Sequence, residues 1–594
     1  MLLSSRQNPP RLSLQRVNSH NNLAAARALL SSSPLPSPGL PSNLPRHGKK
    51  APRINSRRLL RLTIWLAVCT LLFLAVGRIV QSDQSSTPIS YVSPESQAYQ
   101  VVDKILPEEP SPVVVTDQRG RSKWTISIPP ALDFPLTPAQ YASICKKSME
   151  MSQQVAMLKK AHSGPTHIHK AHHGYYFKDQ HFMDITEAES HDVLPGVRNA
   201  ELLRLKTSSS QENSQRQCDR SMIYALETSA AGLGPTLLGL WLAYGLAQSE
   251  NRAFFIDDTN WPYGSYSTFF KAPPSPGCLA PPKTQVVPCP HQARHLLVSA
   301  ATVAHTFGHM FNEHFEDGRK MGVMRQHQIF AMMRAGFETL FQDKLNKEDQ
   351  AYLNDRTAEL NNTIRASGGE EIGVHIRHGD RHPLEYQYQK SYIPLEKYLD
   401  TAHNLSVQVP KASPSQILIA SDDPDIYIDP LITSSITTPK IERAQSHISL
   451  ASKKTLAASG KAGLGWEGGF FKDVFWALGV PAKDQIPRII NPAQRPRRHA
   501  ESGKEENKDT AARSSAENLD PHKKPSEAAL KLRELIARSY LLDLAVLGQS
   551  DKIVCAVSSY GCRILAVMLG WETGIVQGGW RNVDGEFGWR GLDY

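Results

Sequence analysis

Acidic residues are missing from positions 1 to 58, which carry ten Lys or Arg and no Asp or Glu. That absence accounts for the whole basic balance of the chain: the formal net charge is +10, and the residues after 58 hold 57 basic and 57 acidic side chains. No basic domain face is needed, so a nucleic-acid partner is set aside. Cysteine is scarce, seven in 594 residues. Cys69 sits in an apolar run, which leaves Cys145, Cys218, Cys278, Cys289, Cys555 and Cys562. Six is an even number and permits three disulfides in an oxidising compartment. No small-residue cleavage site follows the apolar run, and the long tail before it argues against a removed secretory signal.

The run itself is LLRLTIWLAVCTLLFLAVGRIV, residues 59 to 80. As a helix it spans about 33 Å, enough for a bilayer core. Arg61 and Arg78 stand near its ends, where long side chains reach the headgroups. Ten positive charges before it and few after it place the amino terminus in the cytosol. The expectation is a single-pass type II membrane protein whose bulk is luminal. Asn361 (NNT) and Asn404 (NLS) are then accessible glycosylation sequons.

Residues 1 to 58 are rich in Ser, Pro, Asn and Arg and read as a disordered tail. Residues 81 to 214 read as a polar, irregular stem with one helix near YASICKKSMEMSQQVAMLKKAH. Five histidines gather within it at His167, His169, His172, His173 and His181. A solvated loop outweighs a metal site there, because neither Cys nor a regular i, i+4 His pair supplies a geometry. From about 215 short apolar strands alternate with helices: SMIYAL, a Gly232/Gly234 turn, TLLGLWLAYGLAQSE, then AFFID. IGVHI, QILIASDD and KIVCAVSS form a second series, with helices over SEAALKLRELIARSYLLDLAVLGQS and GCRILAVMLG. Strand, helix, strand in repeated order predicts parallel sheets covered by helices. Charged low-complexity sequence at 481 to 527 reads as a disordered insertion.

In open α/β sheets ligands bind at the carboxyl ends of strands. Four polar clusters fall at such ends: RHGDR after the strand from 372, SDDPD at 421 to 425, SSYGCR at 558 to 563, and the Gly232/Gly234 turn. An Arg fork there suits a concentrated anion, with paired charge-assisted hydrogen bonds. A plain exposed ion pair of Arg377 with Asp380 is the alternative.

These residues, in order, resemble α-1,6-fucosyltransferases of glycosyltransferase family 23. HIRHGDR is similar to the family's HxRRxDK segment. LGPTLLGLWLAYGLAQSENRAFFIDDTNWPYGSYSTFF is similar to its Gly-turn, helix and NW.Y segment. PLEKYL, IASDDPD and SYLLDLAVLGQSDKIVCAVSSYGCR match three further segments, and the cover runs from about 218 to 570. The resemblance implies a GT-B fold of two Rossmann-like domains: an N-terminal α/β domain at 215–370, and a C-terminal GDP-sugar-binding domain at 371–594. It implies metal-independent, inverting transfer of fucose from GDP-fucose to a glycan, in the Golgi, with a possible homodimer.

By the same resemblance, Arg377 meets the β-phosphate, and His375 and Asp543 hold the guanine. His378, Arg381, Asp422, Asp423, Ser559, Tyr560, Gly232 and Gly234 complete the donor side. Asp380 joins Arg377 in the catalytic set, and Glu385 is the base beside the acceptor hydroxyl, with Tyr398 on the acceptor side. Cys555 pairs with Cys562, and Cys218 with Cys278. His378 and Arg381 stand where the family has Arg and Lys, Tyr560 where it has Gln, and the SH3 domain of the vertebrate type does not follow WRGLDY. Another acceptor, such as a protein Ser/Thr or a different sugar, and an inactive luminal lectin stay open.

Overall fold

A computed structural model describes residues 99–102, 106–162, 176, 178–195, 216–227, 232–378, 392–407, 415–433, 439–450, 466–467, 470–471 and 527–592. All lie in one compact unit, Glu95–Tyr594. Among them no helix is long and apolar enough to cross a membrane. The tail 1–58, the expected span 59–80 and almost all of the insertion 481–527 fall outside the described residues.

Short runs of Met, Ile, Phe, Leu and Val form the first parallel sheet because both of its faces are covered. Its strands are β4 (Ser221–Ala225), β5 (Ala253–Asp257) and β6 (His295–Ser299), in the order β5-β4-β6. Ala225 stands opposite Asp257 on one side and Ser299 on the other. Helix α2 (Leu233–Ser249) is apolar almost all round, since it lies between this sheet and helix α3 (His327–Leu340). Two glycines permit that contact. A methyl on Gly245 would sit 2.2 Å from the Met332 carbonyl oxygen, and one on Gly336 would sit 2.3 Å from that of Trp241.

The second sheet holds β7 (Glu371–Ile376), β8 (Gln416–Ser421), β9 (Lys440–Arg443), β12 (Lys552–Cys555) and β13 (Trp580–Asn582). All five strands are parallel, in the order β13-β12-β7-β8-β9. β7 is central: Val374 pairs with Val554 and Ile419, and every residue of the strand is buried. Helices α4 (Lys347–Thr363), α5 (Leu395–Val407), α6 (Glu527–Leu547) and α7 (Tyr560–Leu569) accompany the sheet. The paired residues of β10 (Trp466–Glu467) and β11 (Phe470–Phe471) form a separate antiparallel hairpin.

One buried cluster joins the two halves, with Trp241, Phe330 and Phe337 from the first and Leu541, Ile564 and Val567 from the second. The Arg334 guanidinium donates to the Val567 carbonyl at 2.9 Å across that junction. The C-terminal segment also crosses it: the Trp589 ring lies 4.8 Å from that of Phe330, and the Trp589 indole N–H donates to Arg563 O.

The sequence reading anticipated β4, β5, β7, β8, β12 and their helices. It missed β6, β9 and β13, runs of five, four and three residues. It differs most over the stem. There β1 (Tyr99–Val101), β2 (Ser111–Asp117) and β3 (Ser122–Ser127) form an antiparallel sheet packed on the 25-residue helix α1 (Pro138–His162). Val115, Trp124, Ile126 and Ile144 belong to the same buried cluster as β4 and α2. Alternation in PVVVTD is clear, but polar flanks hid it.

The six cysteines outside the apolar run are all paired. Cys218–Cys278 and Cys555–Cys562 form as the resemblance implied, and Cys145–Cys289 ties α1 to the approach to β6. Asn361 and Asn404 lie within helices; Asn404 is exposed, whereas Asn361 accepts a hydrogen bond from Arg365 at 2.8 Å. Of the five stem histidines only His181 is described, and its carbonyl accepts from Trp124 N at 2.8 Å.

Candidate functional site

Parallel strands all end on one side of their sheet, so the last residues of β7, β8 and β12 open onto a common ledge. β7 carries His375 and then Arg377 and His378 to it. β8 delivers Asp422 and Asp423, and β12 leads through Ser558 into α7, whose N-cap is Ser559. The Ser559 side chain makes no capping hydrogen bond. Backbone N–H groups at such a helix start attract anions.

His375 packs against the first turn of α7. A methyl on Gly561 would lie 2.7 Å from its ring. Burial, reinforced by the Arg377 charge, lowers the His375 pKa to about 4, so the imidazole is neutral. Asp543, on α6, is also buried, and burial pushes its carboxyl up to about 8 against a side-chain hydrogen bond from Gln445 and the charge of Arg443. Tyr540, one turn earlier on α6, lies in the fields of both Arg377 and Asp543. Three buried polar atoms here have no hydrogen-bond partner among the described residues: Asp543 Oδ1, His375 Nδ1 and Ser558 Oγ. Leaving such atoms unpaired costs about 1–3 kcal/mol each, so folding alone does not explain them.

The opposite wall comes from the first sheet. Gly232 caps α2, and a methyl on Gly234 would lie 2.9 Å from Tyr560 Cβ and 3.0 Å from the Tyr540 hydroxyl. The Gly-turn and the start of α7 therefore meet directly, with no room for a side chain. The Arg563 guanidinium stacks 4.6 Å from the Tyr560 ring and holds it.

Arg377 is ion-paired with Asp422. Asp422 also accepts the His378 backbone N–H at 2.7 Å. His378 Nδ1 lies 3.0 Å from Asp423 Oδ2, and its ring is 3.9 Å from that of Tyr392. Asp423 in turn caps the short turn from Pro424, accepting from Asp425 N at 3.0 Å. Asp422 and Asp423, both expected on the donor side, thus engage the two basic residues. Tyr398, expected on the acceptor side, is 1% exposed and belongs to the buried cluster of Ile376, Ile419 and Ile426. Asp380, Arg381 and Glu385 lie outside the described residues.

Sequence reasoning missed Tyr540 and Gln445. A tyrosine inside an apolar helix reads as core, and only the Gly234 approach reveals its place. A cavity of about 310 Å³ bounded by Phe307, Gln326 and Trp589, and another of about 340 Å³ beside Arg334 and Trp571, lie on other surfaces and contain none of these residues.

No protein-family model matches the chain, and no curated protein matches it. Solved structures similar to it include fucosyltransferases. NodZ alpha-1,6-fucosyltransferase soaked with GDP-fucose is 12% identical, with 59% of this chain and 93% of that chain covered and a TM-score of 0.30. Fucosyltransferase NodZ from Bradyrhizobium gives the same identity and coverage with a TM-score of 0.29. Arabidopsis thaliana FUT1 in complex with GDP is 10% identical over 63% of this chain and 74% of that chain, with a TM-score of 0.31. Overlap at that level decides neither family nor activity.

Proposed function

We propose that the protein is a glycosyltransferase that moves fucose from GDP-fucose to a glycan, by a metal-independent inverting route. The observation that carries this reading is the convergence of Arg377, the start of α7 and the unpartnered Asp543 Oδ1, His375 Nδ1 and Ser558 Oγ on one ledge. The chemistry matches a guanosine diphosphate. On giving up its proton to bind guanine, the Asp543 carboxyl accepts the N–H donors of the base, and the neutral His375 imidazole supplies one acceptor or one donor. The helix start and Arg377 face the diphosphate, whose charge grows as the sugar leaves. Arg377 must then exchange Asp422 for phosphate, or share its fork between them.

The finer parts of the proposal rest on the motif resemblance. They are an α-1,6 linkage to an N-glycan GlcNAc, Glu385 as a base, and a single-pass type II setting in the Golgi. Acceptors of another class and a sugar-binding but inactive protein are the competing readings.

The test is a donor screen: purified full-length protein with GDP-fucose, other GDP-sugars and UDP-sugars, with and without EDTA, reading nucleoside diphosphate release. GDP release from GDP-fucose that EDTA leaves intact is expected. Turnover of UDP-sugars alone, or activity abolished by EDTA and restored by manganese, overturns the proposal. Binding of GDP with no turnover points to the inactive reading.

A further inference from the structure

The carboxyl edge of the first sheet carries an acid of its own. β4 continues through Leu226 to Glu227, beyond the level where Ala225 stands between Asp257 of β5 and Ser299 of β6. Glu227 Oε1 accepts the Ala301 backbone N–H at 2.9 Å, and the Ser299 hydroxyl donates to the same carboxylate. Tyr141, from helix α1, lies within the fields of both Glu227 and Asp257. No Lys, Arg or His among the described residues acts on the charge of Glu227. The two hydrogen bonds offset only part of the desolvation of this half-buried carboxylate, and no counter-cation among the described residues completes it.

Its place is informative. Five residues later Gly232 starts α2, and Gly234 meets Tyr560 and Tyr540 at the start of α7. Five extended residues reach at most about 17 Å, so Glu227, past the carboxyl end of β4, lies within that distance of Gly232.

Building on the donor assignment above, we propose that Glu227, in place of Glu385, is the general base of the transfer. Its carboxylate takes the proton from the acceptor hydroxyl as that oxygen bonds to C1 of fucose. The bond from C1 to the phosphate oxygen breaks, and its electron pair leaves with GDP, whose charge Arg377 and the α7 start receive. Desolvation holds the Glu227 pKa above the ordinary carboxylate range, opposed by the Ser299 and Ala301 hydrogen bonds. A base so raised binds the proton more strongly once ionised. Tyr141 from α1, Asp257 from β5 and Tyr224 from its own strand are the titratable groups around it, and none is a cation.

The experiment compares full-length parent, Glu227→Gln, Glu227→Asp and Glu385→Gln. GDP affinity is measured first as a check of folding and donor binding. GDP formation from GDP-fucose is then measured between pH 5 and 8 with an N-glycan-core glycopeptide and a Ser/Thr peptide, counting transfer to water as well. Glu227→Gln should bind GDP within twofold of the parent and lose 100-fold or more in kcat. Its residual rate should lack the rise with pH that the parent shows as the carboxyl ionises, and Glu227→Asp should recover part of the rate. A Glu227→Gln variant within threefold of parental kcat overturns the assignment, as does a loss confined to Glu385→Gln or one that follows weakened GDP binding in every Glu227 variant. A parent that forms no GDP from GDP-fucose overturns the proposed function and this assignment together.

Discussion

Arg377 shows what a single residue contributes and how little of that is written in its neighbours. Its planar fork suits two oxygens at once, and Asp422 occupies it in the described structure. Removing the guanidinium should cost about 2–4 kcal/mol of transition-state stabilisation, the range for other preorganised charge stabilisers. Arg377→Ala is therefore expected to lower kcat/KM by at least 30-fold with an unchanged melting temperature. Arg377→Lys should fall between, because a point charge replaces a fork. Near-parental kcat/KM in a folded Arg377→Ala removes this residue from the site. The strand and the basic residues were legible in IGVHIRHG, since apolar residues must be buried and charges cannot be. The partner was not. Asp422 is remote in the sequence and reaches Arg377 because β8 runs parallel to β7 in register.

Elements impose constraints of a different kind. Helices α2 and α3 approach so closely that Gly245 and Gly336 face backbone atoms, not side-chain tips. Backbone cannot swing aside, so Gly336→Ala should destabilise by about 1–3 kcal/mol, as overpacking does elsewhere. Thermal unfolding checks this, and a Tm equal to the parent's would mean that the helices separate freely.

Helix α6 poses the second element-level test through Asp543. Its carboxyl ordinarily titrates at 3.8 and in the folded chain near 8. The folded state thus keeps a proton that the unfolded chain releases, and stability declines as pH rises from about 4 to 8. Asp543→Asn escapes that decline. It should match the parent near pH 4 and exceed it at pH 7.5 by on the order of a few kcal/mol, while losing GDP affinity. Parallel stability curves for the two proteins refute the buried-acid assignment. Amphipathic and apolar patterns made α2, α3, α6 and α7 readable, but a glycine within a helix or an Asp among leucines declares its role only once the facing element is known.

At the scale of the molecule, two parallel sheets meet so that the carboxyl ends of one face the Gly-turn of the other. Repeated strand–helix order announced both sheets. The antiparallel sheet β1–β3 escaped notice because its polar flanks resemble a linker, and its fixing bond, Cys145–Cys289, joins residues 144 apart. Closing a loop of that length is worth roughly 3–5 kcal/mol. Replacing both cysteines by Ser should therefore lower the melting temperature by several degrees and loosen helix α1 to proteolysis. An unchanged melting temperature would make the segment the passive stem that its composition suggested.

The most direct measurement of what the ledge binds is calorimetric titration of the full-length protein with GDP, UDP and ADP in EDTA, repeated with Asp543→Asn. Guanine recognition by Asp543 and diphosphate capture by Arg377 and α7 predict that GDP binds at least about 30-fold tighter than UDP or ADP. That difference corresponds to about 2 kcal/mol, the scale of a charged hydrogen bond. Asp543→Asn should erase most of the preference while the three diphosphates keep similar residual affinity. Equal binding of GDP, UDP and ADP to the parent, or a preference that survives Asp543→Asn, contradicts the assignment.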